Sequence, residues 1–263
     1  MLKARSSVLF SATLLPIQYY KELLAGTPDD YEIYAKSIFN PDKKGLFISS
    51  DVTSRYTKRD ESQYRNIAAC INAIVSRRHG NYLVFFPSYA FLNNVRDMYE
   101  EMFMPGLSEC IYQTSGMKEE EKEEFLSNFT KERTDSLLVG FCVLGGIFSE
   151  GIDLKNDALI GAIVVGTGIP QVCPEIDLIR DFFDKRGESG YDYAYKFPGM
   201  NKVLQAAGRV IRTENDVGIV ALLDERFLQN SYKSLFPREW ANFEIISIDT
   251  VAGRVERFWN EWL

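Results

Sequence analysis

Four runs of apolar residues and glycine lack the alternation that a half-exposed strand would show, and they constrain the fold most. They occupy residues 82–86, 137–144, 160–165 and 218–223. A strand that is apolar on both sides must be buried on both faces, as in a parallel sheet covered by helices. Segments with helical apolar spacing alternate with the predicted strands, and residues 67–75, before the first of these runs, are an example. The pattern predicts an α/β fold with a doubly wound, mostly parallel sheet flanked by helices.

Local signals predict where other elements begin and end. Residues 8–10 are apolar and predict a short strand, and Pro16 predicts the first turn of a helix after it. Asp60 predicts the amino end of the next long helix, and Gly80 predicts its carboxyl end. Glycine, aspartate, tyrosine and proline are frequent toward the end of residues 170–200, which predicts a loop-rich excursion there.

Length and composition limit the classes of protein that this chain can be. With 263 residues, of which 46% are apolar, we predict a single large domain over residues 1–263. No run approaches the roughly 20 apolar residues that a membrane helix needs, so we expect a cytoplasmic protein with no membrane partner. A net charge of −7 disfavours attraction of nucleic acid to the whole surface. It does not exclude a local stripe of basic residues that binds nucleic acid.

Histidine and cysteine are scarce and scattered. The single histidine, His79, follows two arginines where a helix is expected to end, so a hydrolase triad built on an imidazole is not predicted. Cys70, Cys110, Cys142 and Cys173 show no CxxC spacing. We therefore predict neither a zinc site nor an iron–sulfur cluster in this chain.

Residues 205–212 carry the pattern most typical of a ligand site. On a helix, at about 100° per residue, Gln205, Arg209 and Arg212 project within roughly 60° of one another. Two guanidiniums on a rigid helix would suit a phosphate or a carboxylate, since each offers a planar fork of donors. The alternative is a solvated helix face, which is how most surface arginines are used.

Two further segments follow predicted strands. Residues 149–153, Ser-Glu-Gly-Ile-Asp, lie at the sheet edge where open α/β folds bind ligands, and could hold a ribose, a metal-bound water or a backbone turn. Residues 166–168 begin like a dinucleotide fingerprint, but Pro170 and Gln171 do not fit it, so we predict no such site. No GxxxxGK[ST] loop occurs, and the chain by itself lacks the usual means of gripping a nucleoside triphosphate.

Four segments occur along the chain in a characteristic order. They are residues 11–14 (Ser-Ala-Thr-Leu), 84–89, 149–153 and 205–212, the last followed by Asp216, Gly218, Asp224 and Arg226. Together they resemble motifs III, IV, V and VI of superfamily 2 helicases of the XPD/DinG (Rad3-like) branch. The resemblance spans almost the whole chain, although the stretch after motif V is only loosely like the proline-rich segment of the family. It implies a RecA-like domain, the second of the two in such a motor.

The resemblance also implies cofactors and partners. ATP with magnesium would be shared with a first motor domain, which lies outside this sequence and carries motifs I and II. No metal is expected to be bound by this chain, and an iron–sulfur cluster is expected only in that other half. The implied partners are the amino-terminal motor domain of the same protein and single-stranded DNA. The implied activity is that of an ATP-dependent DNA helicase in repair or replication, with this chain inactive alone.

Individual residues receive roles from the same resemblance. An arginine that reaches a triphosphate from a facing domain accelerates its hydrolysis by about 10³ to 10⁵. Arg209 and Arg212 would be catalytic in this way, with Gln205 beside the γ-phosphate. Glu150, Gly151, Asp153 and Gly208 would bind the nucleotide, and Ser88, Tyr89 and Ser149 would bind the nucleic acid.

Two other functions remain open at this point. One is a nucleic-acid or protein interaction module derived from a helicase domain, without motor activity; the polar residues at 205, 209 and 212 disfavour it because such a module does not need them. The other is a free-standing α/β enzyme for a small phosphorylated substrate, which would need a nucleophile or base that the sequence does not show.

Overall fold

The structure is a computed structural model that describes residues 5–24, 26–27, 29–106, 108–131, 133, 135–148 and 158–262. In this part of the chain, seven strands form one sheet in the order β3-β4-β2-β5-β6-β1-β7, and every neighbouring pair is parallel. The strands are β1 (Lys44–Ser49), β2 (Gly80–Phe86), β3 (Ser108–Tyr112), β4 (Leu137–Val143), β5 (Gly161–Val165), β6 (Gly218–Leu223) and β7 (Glu244–Ile246). The predicted parallel α/β fold is confirmed.

Helices cover both faces of the sheet. They are α1 (Ile17–Leu23), α2 (Glu61–Val75), α3 (Tyr89–Phe103), α4 (Glu119–Ser127), α5 (Pro174–Lys185), α6 (Phe197–Ala207), α7 (Asn230–Lys233) and α8 (Val251–Trp262). Strand β2 shows why its sequence does not alternate. Val84 and Phe86 pack into the core under α2, α3 and α8, whereas Leu83 and Phe85 pack into the core under α4 and α6. In the described residues, no helix has the length and apolar character that crossing a membrane requires.

The helix predicted from Asp60 is α2, and its amino end is capped as expected. The Asp60 carboxylate accepts a hydrogen bond from the Gln63 amide at 2.8 Å. The Gln63 side chain turns away and accepts from the Thr53 amide at 3.2 Å, so the capping box is half formed. The predicted stop at Gly80 is wrong, because α2 ends at Val75 and Gly80 is the first residue of β2.

Gly80 is needed for a different reason from the one predicted. Its φ is 140°, and a Cβ atom there would lie 2.5 Å from the Ile160 Cδ1 atom. A side chain at this position would therefore collide with the residue that precedes β5. The glycine permits a close approach at the start of β2 and does not cap the helix before it.

The predicted strand over residues 8–10 is wrong. Val8 is 83% exposed and Phe10 is 90% exposed, and neither residue pairs with another strand in the described part of the chain. An apolar triplet becomes a strand only where a neighbouring strand takes its amide and carbonyl groups. The helix predicted after Pro16 is present as α1, and Pro16 occupies its N-cap position.

The predicted loop-rich excursion at residues 170–200 is also wrong, because this segment is mostly helical. It consists of α5, a π-helix over Asp192–Lys196 and the start of α6. Two of its tyrosines, Tyr193 and Tyr195, are buried, and the rings of Phe183 and Tyr193 stack with centroids 4.0 Å apart. Pro198 lies in the first turn of α6, where proline is compatible with a helix.

Candidate functional site

Loops from four adjacent strands meet at the carboxyl edge of the sheet. Strands β2, β5, β6 and β1 are neighbours and run in parallel, so the loops that follow them leave from the same edge. Gly166, directly after β5, has φ 81°, and a Cβ atom there would lie 2.5 Å from the Ser54 Oγ atom and 3.8 Å from the Pro87 Cγ atom. The loop after β5 therefore runs between the loops after β1 and β2.

Ser88, predicted to bind nucleic acid, is the N-cap of α3. Its Oγ atom accepts a hydrogen bond from the Phe91 amide at 3.3 Å. The hydroxyl proton can still be donated, and the first-turn amides of α3 point the same way. The half-buried Ser88 hydroxyl and the first-turn amides of α3 can thus together offer several donors to an anion.

Tyr89 is held by a residue that the sequence analysis missed. The Gln113 Nε2 atom donates to the Tyr89 hydroxyl at 3.0 Å, and the Gln113 Oε1 atom accepts from the Val143 amide at 2.9 Å. Gln113 is buried and thereby ties the end of β4 to the start of α3. The sequence offered no signal for it, because a glutamine after a short strand is ordinary.

A buried ion pair lies under the loop after β1. The Asp224 carboxylate, fully buried at the end of β6, is bound by the Arg226 Nε and Nη2 atoms, each at 2.8 Å. It also accepts from the Ser54 amide and hydroxyl, both at 2.8 Å. The Arg226 Nη2 atom donates to the Ser54 Oγ atom at 2.7 Å as well. This cluster of Ser54, Asp224 and Arg226 fixes the loop after β1 to the loop after β6.

The environment of Asp224 favours its charged form. Burial alone would raise the pKa of its carboxyl group, but the hydrogen bonds and positive charge of Arg226, with the Ser54 and Arg226 amides, outweigh burial. The net result is a pKa below the usual value for aspartate. Asp224 is therefore a structural carboxylate and not a proton donor or acceptor at neutral pH.

The residues predicted to form a helical stripe do not all lie on a helix. Gln205 is in the last turn of α6, but the helix ends at Ala207 and Gly208 is its C-cap residue. Arg209 and Arg212 lie beyond this end and are half-buried. The prediction that one helix face presents all three side chains is wrong. Gly208 is exposed and its amide closes the helix by donating to the Leu204 carbonyl at 2.9 Å.

Asp216 organises the backbone beyond the end of α6. Its Oδ2 atom accepts from the Arg212 amide at 2.7 Å and from the Thr213 amide at 2.8 Å. Its Oδ1 atom accepts from the Thr213 hydroxyl at 2.6 Å. These amides would have extended the ladder of α6, and a carboxylate takes the place of the helix carbonyls. The backbone at Arg212 is thus positioned by Asp216.

Four predicted residues, Ser149, Glu150, Gly151 and Asp153, lie outside the residues that the structure describes. The chain that leads to them is adjacent to α6. A Cβ atom at Gly145, after β4, would lie 2.9 Å from the Lys202 Cε atom, and Lys202 is one helical turn before Gln205. Gly145, at the start of the loop after β4, therefore lies beside α6.

A family model described as the helicase C-terminal domain matches residues 71–243, which is more than half of the chain. The chain belongs to the helicase C-terminal domain family. XPD helicases are among its relatives and among its structural neighbours, as the motifs indicated. The matched range contains β2 to β6 and the residues Ser88, Gln205 and Arg212.

Curated relatives of this helicase C-terminal domain are longer proteins. The chain is 28% identical over 231 residues to the ATP-dependent DNA helicase XPD of Sulfolobus acidocaldarius, covering 84% of the chain and 39% of the relative. It is 25% identical over 236 residues to a probable ATP-dependent helicase of Methanocaldococcus jannaschii, covering 84% of the chain and 35% of the relative. The chain thus spans between a third and two fifths of these relatives.

Solved structures share the fold of this helicase C-terminal domain. An apo XPD structure matches with a TM-score of 0.71 at 22% identity, covering 90% of the chain and 47% of that structure. A structure of Saccharomyces cerevisiae Dbp5 bound to RNA and ADP BeF3 matches with a TM-score of 0.52 at 11% identity, covering 98% of the chain and 54% of that structure. The predicted RecA-like fold is confirmed.

Proposed function

We propose that this helicase C-terminal domain is the second motor domain of an ATP-dependent DNA helicase. Its relatives named for that activity support the proposal, and so does the geometry after α6. There Gln205 lies in the last turn of α6, and the Asp216 carboxylate binds the amides of Arg212 and Thr213, an arrangement that we call the Asp216 turn. The Asp216 turn is the observation that carries the proposal, because a catalytic arginine needs a backbone that does not move.

In this proposal the arginines act on a nucleotide that a first motor domain holds with magnesium. Phosphoryl transfer requires mainly positioning and stabilisation of negative charge, and guanidiniums supply both. Arg209 and Arg212 would contact the phosphates from the facing side, with Gln205 beside the γ-phosphate. Gly208, Glu150, Gly151 and Asp153 would line the same nucleotide. The chain alone, which has no phosphate-binding loop in its sequence, would hydrolyse no ATP.

The DNA would lie along the carboxyl edge of the sheet. Ser88 would donate its hydroxyl proton and the first-turn amides of α3 would donate to a phosphate, while the Tyr89 phenol and Ser149 would contact the same strand. Such contacts to the backbone are local, so the net charge of −7 does not prevent them. The process would be DNA repair or replication, as the resemblance of the motifs implies.

The test is Arg212→Ala in the full-length protein that contains this domain. ATP turnover stimulated by single-stranded DNA should fall by about 10³ to 10⁵, while nucleotide affinity changes little, because the first domain holds most of the nucleotide. Arg257→Ala is the matched control: Arg257 is an exposed arginine of α8, ion-paired with Glu244 at 2.7 Å, and should leave turnover unchanged. Near wild-type turnover in Arg212→Ala would remove the catalytic assignment. Turnover that is absent in the wild type would favour the interaction module.

A further inference from the structure

The loop between β1 and α2 carries an exposed aromatic side chain among cations. Tyr56 is 84% exposed, and Arg55, Lys58 and Arg59 lie within three residues of it. None of these four residues belongs to the segments that resemble helicase motifs. An exposed tyrosine beside three cations is a composition typical of surfaces that bind single-stranded nucleic acid, since the ring stacks on bases and the cations meet phosphates.

This loop, which we call the Tyr56 loop and define as residues 55–59, is held in place at both ends. Before it, Ser54 is bound to Asp224 and Arg226 in the buried cluster. Within it, the Arg59 Nε atom donates to the Ser54 carbonyl at 3.0 Å. After it, Asp60 caps α2. A loop fixed in this way loses little conformational entropy when a ligand binds.

The Tyr56 loop lies on the same surface as Ser88. The guanidinium carbon of Arg59 is 5.5 Å from the centroid of the Tyr56 ring and 5.1 Å from that of the Phe91 ring. Phe91 is in the first turn of α3, and its amide is the one that Ser88 caps. Arg59 therefore bridges the exposed tyrosine to the helix end where a phosphate is expected.

Glu225 is the carboxylate that faces this group of cations. Its Oε1 atom is 3.3 Å from the Arg55 Nε atom and 3.5 Å from the Lys58 Nζ atom. All three side chains are partly exposed, and ion pairs of this kind contribute little because water competes for them. A nucleic-acid phosphate can therefore replace Glu225 as the partner of either cation.

We propose that Tyr56 stacks on a base of the single-stranded DNA whose backbone meets Ser88, and that Arg55 and Lys58 bind phosphates on either side of that base. The proposal rests on the proposed function, because it places a second contact on the same strand. It assigns a base contact to a surface whose other expected contacts are to the backbone. Every base has a face that can stack, so the contact would not depend on sequence.

The test measures binding of the 263-residue chain to a fluorescent oligothymidylate of about 20 nucleotides, and to a matched oligonucleotide with abasic sites, across a series of salt concentrations. Tyr56→Ala should weaken binding to oligothymidylate about tenfold without changing the salt dependence, since stacking releases no counterions. Tyr56→Phe should bind like the wild type. On the abasic oligonucleotide, Tyr56→Ala and wild type should bind equally.

Lys58→Ala should behave differently, because it removes a phosphate contact. Its affinity should fall on both oligonucleotides, and the slope of log affinity against log salt should become shallower by about 0.7. Tyr31→Ala, at a fully exposed tyrosine of the amino-terminal segment, is the matched control and should change nothing. Circular dichroism of each variant establishes that it is folded.

The outcomes separate this proposal from the proposed function. If the wild type binds oligothymidylate and Tyr56→Ala binds equally well, the stacking contact is overturned and the proposed function stands. If Tyr56→Ala weakens binding to the abasic oligonucleotide as much as to oligothymidylate, the tyrosine does not act on a base and the proposal also fails. If the wild type binds neither oligonucleotide, both the proposal and the DNA-binding part of the proposed function fall.

Discussion

Two pairs of arginine and aspartate follow α6, and they are used in opposite ways. Asp224 binds the guanidinium of Arg226 directly, and the carboxylate is fully buried. The hydrogen bonds that Asp216 accepts near Arg212 come from backbone amides and from the Thr213 hydroxyl. The first pair joins two loops of the protein. The second shapes the backbone that carries Arg212.

The contrast teaches that an acid near an arginine in sequence does not show what either residue does. A buried, bidentate pair stabilises the fold, because separating its members leaves a buried charge without a partner. A carboxylate that binds amides positions a side chain for another purpose. Variants of the two aspartates should therefore separate stability from activity.

Asp224→Ala should have the largest effect on stability. Removing the carboxylate leaves the Arg226 charge buried and releases Ser54, so the free energy of unfolding in urea should fall by about 3–5 kcal/mol. Asp181→Ala is the control, because Asp181 forms an exposed pair with the neighbouring Arg180 and should cost less than about 1 kcal/mol. Equal losses in the two variants would contradict a structural role for the Asp224–Arg226 pair.

Asp216→Ala should affect activity more than stability. The free energy of unfolding should fall by about 1–2 kcal/mol, since two amides and a hydroxyl lose a partly buried acceptor. In the full-length protein, ATP turnover should fall by about 10- to 100-fold, because the backbone at Arg212 is no longer fixed. If Asp216→Ala and Asp224→Ala lose ATP turnover in proportion to their loss of unfolding free energy, the two aspartates do not have different roles.

The smallest expected effect is on the pH dependence of stability, and it tests the structural role of Asp224. The pKa of Asp224 is lower in the folded chain than the value of about 3.9 expected when it is unfolded. Its contribution is therefore complete above about pH 4 and is lost as the pH falls through the depressed folded value. Unfolding in urea at about pH 7 and about pH 3 should show a smaller loss for Asp224→Asn than for the wild type. If Asp224→Asn loses as much unfolding free energy between these pH values as the wild type does, groups other than Asp224 cause the acid sensitivity.

Much of the fold could be predicted from hydrophobic patterning alone. Strands β2, β4, β5 and β6 were visible as apolar runs because both of their faces are buried. The start of α2 at Asp60 followed from capping chemistry, which acts within a few residues. Residues 8–10 failed because strand formation depends on a neighbour, and apolar character does not supply one.

The candidate site was harder to predict because its geometry depends on contacts between distant residues. The helical projection of Gln205, Arg209 and Arg212 assumed a continuous helix, but α6 ends at Ala207 and the Arg212 amide is bound by the Asp216 carboxylate. Gln113 and Ser54 were missed because each is an ordinary polar residue until the sheet brings it beside Tyr89 or Asp224. For the loop after β1, the basic residues on both sides of Tyr56 are a signal that the sequence does contain. The exposure of Tyr56 is seen only in the structure.

The alternation of buried strands and amphipathic helices and the order of the motifs can be read from the amino-acid order. These depend on local composition and on the burial of apolar surface, which are properties of a segment and its period. Which loops share an edge, where α6 ends and which arginine holds the fold follow from the folded chain. Those outcomes depend on hydrogen bonds between residues as far apart as Ser54 and Asp224, and no local pattern encodes such a pairing.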